Sequence, residues 1–140
     1  MSAERKIICV TAAILMHAGR ILIARRPVGD RLAGAWEFPG GKLESGETPR
    51  EGLRRELYEE FGIHTRIGPF FDRTEHRYDH MTVSLLVYRA ELAQGDLKPT
   101  AHDAVRWVTP EQMHQYRFAP ADRPIVARLQ RLGLDQTSTP

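Results

Sequence analysis

Apolar positions along the chain follow two spacings. Near the start, ICVTAAILM and ILIA are rich in β-branched residues and are separated by HAGR. That pattern predicts a β-hairpin over 6–16 and 20–25, turning at Ala18-Gly19. MTVSLLVYRAEL (81–92) has an unbroken apolar centre, which predicts a strand buried on both faces. AVRWV (104–108) predicts a short strand, and 70–76 another. Helical spacing appears twice. Thr48 to Phe61 predicts one helix, and APADRPIVARLQRL (119–132) a second, with Ile125, Val126, Leu129 and Leu132 on one face. Pro110–Gln115 predicts the start of a helix capped by Thr109. RPVGDRLAGAW (26–36) reads as a loop, EFPGGK as a short extended piece that turns, and 133–140 as a loose tail. Strands and helices intermix, so the expected class is α/β (α+β), one domain over 1–140 with a mixed sheet covered on both faces.

The first helix carries an unusual load. Residues 40–63, GGKLESGETPREGLRRELYEEFGI, hold Glu44, Glu47, Glu51, Glu56, Glu59 and Glu60 out of 18 acidic residues in 140. Thr48-Pro49-Arg50-Glu51 predicts a capping box with proline at the first helical position, and Gly62 suits a left-handed C-terminal residue. At about 100° per residue, Glu56, Glu59 and Glu60 share an arc of roughly 100°, beside the apolar stripe Leu53, Leu57, Phe61. A solvated face with ion pairs Glu51–Arg55 and Arg55–Glu59 would explain some of these charges. Their position beside the apolar stripe instead puts them at the core edge, where they require a counter-cation such as Mg²⁺. Gly52, one turn before Glu56, is expected to leave room beside the carboxylates.

Composition adds exclusions. The net charge is +2, with 41% apolar and 27% charged residues, and no basic run marks a nucleic-acid polymer or a membrane surface as partner. Arg5 and Lys6 before an apolar run resemble a signal peptide only faintly, and no segment is long enough to span a bilayer. Cys9 is the one cysteine, which suits a reducing, cytoplasmic compartment. No Ser–His–Asp or Cys–His signature competes for catalysis, and the histidines have no metal-ligand spacing.

From Gly41 to Ile63 the chain matches G-x5-E-x7-R-E-U-x-E-E-x-G-U, with U apolar, at every fixed position. That is the Nudix box. With WEFPGGK before it and APADRPIVARL near the end, the chain resembles the MutT branch of the Nudix hydrolases, particularly small bacterial (deoxy)nucleoside triphosphate pyrophosphohydrolases, including CTP-preferring ones. The resemblance implies a Nudix α/β/α sandwich. It implies Mg²⁺-dependent (Mn²⁺ as a substitute) hydrolysis of a nucleoside triphosphate to monophosphate and pyrophosphate, cleansing the pool of 8-oxo-dGTP or of CTP and modified dCTP. Carried over by position, Glu56, Glu59, Glu60 and the Gly40 carbonyl bind the metal. Arg55 orients the glutamates, Glu47 braces the loop–helix junction, and Glu56 is favoured as base. A monomer or homodimer acting on a small nucleotide is expected.

Substrate residues follow with alternatives open. Arg26 resembles a phosphate-contacting residue, or is a strand-end surface charge like Arg25; Arg31 lies within reach of the nucleotide. Glu37 leads into the metal site. Phe38 is either core or a wall of the base pocket, and Tyr78 is a candidate for the same wall. Asp122 stands where guanine-selective relatives carry a base-reading Asn; ionised, it offers acceptors only, and its plain alternative is to cap the last helix. Where the family often has an acidic residue before the strand holding Trp107, this chain has Ala101, with His102 or Asp103 as substitutes. The box alone also admits ADP-ribose or a dinucleoside polyphosphate as substrate, or a non-catalytic sensor.

Overall fold

In a computed structural model, which describes residues 6–133, the sheet is built outward from β1 (Lys6–His17). β1 turns through Ala18 and Gly19, both at positive φ, into β2 (Arg20–Arg25), the tight two-residue hairpin that HAGR predicts. On its other side β1 pairs in parallel with β6 (Met81–Gln94) from Lys6–Met81 to Met16–Glu91. β2 leaves β1 early. From Ile21 to Arg25 it pairs with β7 (Ala104–Val108), and Ala24 and Arg25 pair also with β3 (Trp36–Glu37), while Val10 to Ala12 in the middle of β1 take β4 (Gly40–Lys42) as antiparallel neighbour.

Alternation along these strands feeds two cores. Ile14, Ile21, Ile23 and Val87 point to the face covered by α2 (Arg123–Leu132), which contributes Ile125 and Leu129. Leu15, Leu22 and Ala90 point to the face covered by α1 (Pro49–Phe61), which contributes Leu53, Leu57 and Phe61. The result is the expected α/β/α sandwich with a mixed sheet.

Three elements differ from expectation. β5 runs from His64 to Arg77, well beyond 70–76. Gly68-Pro69 hides this in the sequence; register shifts between Ile67 and Phe70, and again before Asp72, absorb the proline as bulges. Pro110–Gln115 is a 3-10 helix rather than the start of an α-helix, closed by the Gln112 side chain accepting from the Thr109 N–H at 3.0 Å. The last helix begins at Arg123; Pro120–Asp122 form a 3-10 turn before it. The expected tail lies outside the described residues apart from Gly133. Among the described residues no helix is long and apolar enough to cross a membrane.

Candidate active site

α1 begins and ends on the residues the sequence marks. The Thr48 hydroxyl accepts from the Glu51 N–H at 3.2 Å, Glu51 returns the bond to the Thr48 N–H at 2.9 Å, and Gly62 ends the helix at φ 70°. Glu51 is thereby a cap. Arg55 is the hub of the charged face. It donates to Glu47 at 2.6 Å, Glu56 at 3.0 Å, Glu59 at 2.9 Å and the Lys42 carbonyl at 3.1 Å. Glu47 also accepts the Glu44 N–H at 2.8 Å, tying the 44–48 loop to the helix; the Arg55 hydrogen bond holds its carboxyl below the usual range. Gly52 does not open space beside the carboxylates. A Cβ there would overlap a Leu43 methyl and crowd Glu47, so the gap is filled by the preceding loop.

A cavity of about 400 Å³ opens across the first halves of β1 and β6. Glu56, Glu60 and the Gly40–Gly41 backbone line one end. Close approach explains both glycines. A Cβ on Gly40 would overlap the Thr11 carbonyl, and one on Gly41 would overlap the Glu56 carboxyl. Burial raises the Glu56 carboxyl above its usual range, with Arg55 pulling the other way. Burial, then the neighbouring Glu56, pushes Glu60 up to about 7. Glu59 is placed differently from Glu56 and Glu60. Its side chain is 54% exposed, pairs with Arg55 and does not line the cavity. Among the described residues no three acidic, histidine or cysteine side chains converge as a ready metal cage. The donor set nevertheless fits a hard divalent cation. Two partly buried carboxylates that repel one another, only one of them (Glu56) paired with an arginine, beside a glycine backbone no side chain can screen, make an oxygen-rich corner suited to a further cation.

Gly41→Ala tests this fit. The Glu56 carboxylate is the movable end of a side chain, so it should yield while the fold persists. The expected result is an unchanged circular dichroism spectrum with divalent-cation affinity lowered by roughly tenfold or more.

The rest of the cavity gathers the other predicted residues. Arg26 and Arg31 both line it. Arg26 is not a bare strand-end charge: it donates to the Arg31 carbonyl at 2.8 Å, to Glu37 at 2.9 Å and to Asp30, holding the 26–35 loop in shape. Phe38 resolves its two alternatives by being both, buried at 3% exposure against Phe118 and lining the cavity. The Tyr78 hydroxyl accepts from the Ala121 N–H at 3.4 Å beside it. Asp122 does not cap α2. It is buried, lines the cavity, and accepts the Phe38 N–H at 2.9 Å; burial first, then Glu37, pushes its carboxyl up to about 8. Of the two substitutes for Ala101, Asp103 pairs with Arg25 at 2.7 Å and does not line the cavity, whereas His102 does. The His102 ring is what the sequence reading undervalued. TAHDAVRW contains it, but nothing local reveals that it stacks on Phe61 and binds Glu37.

Comparison with known proteins bears on the chemistry of this cavity. The NUDIX domain family matches residues 10–128. The CTP pyrophosphohydrolase of Escherichia coli K12 is 39% identical over 121 residues, covering 86% of this chain and 90% of that one. The 8-oxo-dGTP diphosphatase of the same strain is 30% identical over 128 residues, covering 91% and 99%. A crystal structure of a MutT protein from Methanosarcina mazei superimposes with a TM-score of 0.83 at 28% identity, covering 93% and 97%. Enzymes of this kind act on small-molecule nucleotides and generally use divalent metal ions. The cavity with its glutamate-bearing helix therefore lies in a member of the Nudix hydrolases, and the chain belongs to that family as a MutT-like nucleotide pyrophosphohydrolase, a hydrolase of acid anhydrides.

Proposed function

We propose that the protein hydrolyses (deoxy)nucleoside triphosphates to the monophosphate and pyrophosphate, with Mg²⁺, and clears oxidised or otherwise non-standard nucleotides. One observation carries this reading. One cavity is lined by the carboxylates of Glu56 and Glu60, by Arg26 and Arg31, and by the buried carboxyl of Asp122. Glu56, Glu60 and the Gly40 carbonyl would hold the metal, with Glu59 on the same helix face. When bound, that ion neutralises phosphate charge and makes the attacking water more acidic. The chain's residues do the rest. Glu56 takes the proton of the water that attacks the phosphate chain, and the anhydride bond between the first two phosphoryl groups breaks, releasing pyrophosphate. Arg55 keeps Glu56 aimed. Arg31 and Arg26 face the phosphates, and Phe38, Tyr78 and Asp122 enclose the base.

Relatives called CTP pyrophosphohydrolase and 8-oxo-dGTP diphosphatase support both a cytosine and an oxidised guanine as the base. The test is a panel of dGTP, 8-oxo-dGTP, CTP, methylated dCTP, ADP-ribose and a diadenosine polyphosphate with Mg²⁺, resolved by product. Monophosphate plus pyrophosphate from a triphosphate is the expected outcome. Orthophosphate as sole product, or turnover of ADP-ribose alone, overturns the assignment.

A further inference from the structure

The loop after β6 is tied down more firmly than its surface position requires. The Lys98 N–H donates to the Phe61 carbonyl at 2.8 Å and the Thr100 N–H to the Glu60 carbonyl at 2.9 Å, so the loop occupies orphan carbonyls at the end of α1. At its far end Asp103 binds Arg25 through both its N–H and its carboxylate. Between these two anchors stands His102. Its side chain is only 4% exposed and its ring stacks on Phe61, 5.4 Å between centroids and 15° between planes. Nε2 lies 2.8 Å from Glu37 Oε2, while the other carboxylate oxygen accepts from Arg26 Nη1 at 2.9 Å. Nδ1 is buried with no hydrogen-bond partner.

We propose that His102 is a positioning residue: it clamps Glu37 from the side opposite Arg26, so that the loop docked on the metal-bearing helix also sets where the phosphate-facing arginine stands. Each link is a direct contact. α1 carries the 98–100 backbone, that backbone carries His102, His102 fixes one oxygen of Glu37, and Glu37 fixes Arg26. An unattached Glu37 would be free to swing toward Arg26 with both oxygens, or into the cavity beside Glu60. The orphaned Nδ1 argues for which nitrogen holds the hydrogen. A buried N–H without an acceptor is rarer than a buried lone pair without a donor, so Nε2 carries the hydrogen and donates it to Glu37. The role in turnover rests on the nucleotide-hydrolase reading of the cavity; the placement of the hydrogen does not.

Two measurements decide it. The first is steady-state kinetics on the best triphosphate for the wild type, His102→Ala and His102→Gln. Glutamine carries its amide nitrogen about where Nε2 stands and cannot titrate. The expected result is KM raised about tenfold in His102→Ala with kcat changed less than about threefold. His102→Gln should recover most of the KM and keep the wild-type pH profile. A loss of kcat common to both variants, with one limb of the pH profile gone, would make His102 a proton carrier and overturn the proposal. Unchanged KM in a folded His102→Ala protein would overturn it as well. The second measurement needs no turnover. The ¹⁵N shifts of the His102 ring should report hydrogen on Nε2 in the wild type and change in Glu37→Gln; hydrogen on Nδ1 alone, with none on Nε2, would sink the clamp even if His102→Ala fails to fold. A wild type that hydrolyses no triphosphate, with the Nε2–H signature intact, would retire the nucleotide reading and leave the clamp standing.

Discussion

Glu60→Gln should lower kcat by on the order of 10²-fold or more, in a protein that folds as well as the wild type. The size follows from the metal-holding role proposed for the carboxylate. Charge neutralisation by a bound divalent ion is worth several kcal/mol at the transition state, and each factor of ten is about 1.4 kcal/mol. Glutamine keeps the shape and loses the charge. The metal-free fold gains from this. In the folded chain Glu60 titrates at about 7, above its unfolded value of 4.5, so its ionisation opposes folding. The penalty is absent below the unfolded value, grows between 4.5 and about 7, and is fully present above that. Without metal, Glu60→Gln should therefore melt above the wild type at pH 8 and with it near pH 4. Added Mg²⁺ should raise the melting temperature of the wild type more than that of the variant. A folded variant with near-normal turnover would remove Glu60 from the metal site.

Asp122→Asn carries the second large effect, this time on stability. The carboxyl is buried and pushed from 3.8 up to about 8 in the fold. Folded Asp122 thus keeps its proton across the range in which the unfolded chain gives it up, and stability falls as pH rises from about 4 to about 8. Asparagine cannot ionise and can still accept the Phe38 N–H through its side-chain oxygen. The variant should gain nothing near pH 4 and progressively more up to pH 8, where the difference levels off. At about 1.4 kcal/mol per unit, the shift bounds the gain at roughly 6 kcal/mol. Thermal melting at four or five pH values checks this; a gain that shrinks as pH rises would contradict it. The same protonation bears on the base contact proposed for Asp122. A neutral carboxyl has a donor and an acceptor, as asparagine does, whereas the ionised form expected from sequence has acceptors only. Wild type and Asp122→Asn should rank the nucleotides alike at pH 6.5 and diverge at pH 9.

α1 was fully legible because its information is local. The capping box, the terminal Gly62 and the acidic arc all lie within a few residues of one another. The hairpin was legible for the same reason. What the pattern could not convey depended on distant partners. β5 looks broken at Gly68-Pro69 until β6 supplies the register that absorbs the bulge. Asp122 looks like a helix cap until Phe38, 84 residues away in the chain, presents its N–H. A helical wheel gives the direction of Gly52 but not the Leu43 side chain that fills it, and it places Glu59 on the arc of Glu56 and Glu60 without showing that Glu59 stands at the exposed edge, outside the cavity lining. His102 was one of six histidines with no distinguishing spacing; only the docked loop shows its place.

The parallel pairing of β1 with β6 also governs when the site comes into being during synthesis. β1 is made well before its neighbour, which begins at Met81; β2 waits for β7, and Phe38 waits for Asp122. α1 can cap itself as soon as it is made, but the cavity beside it is not fully lined until the chain through Asp122 is available. Contacts of such long range close late and at a high cost in chain entropy. A ribosome-bound chain stopped after α1 would therefore display its glutamates on an open surface, able to attract cations but unable to hold a nucleotide against them.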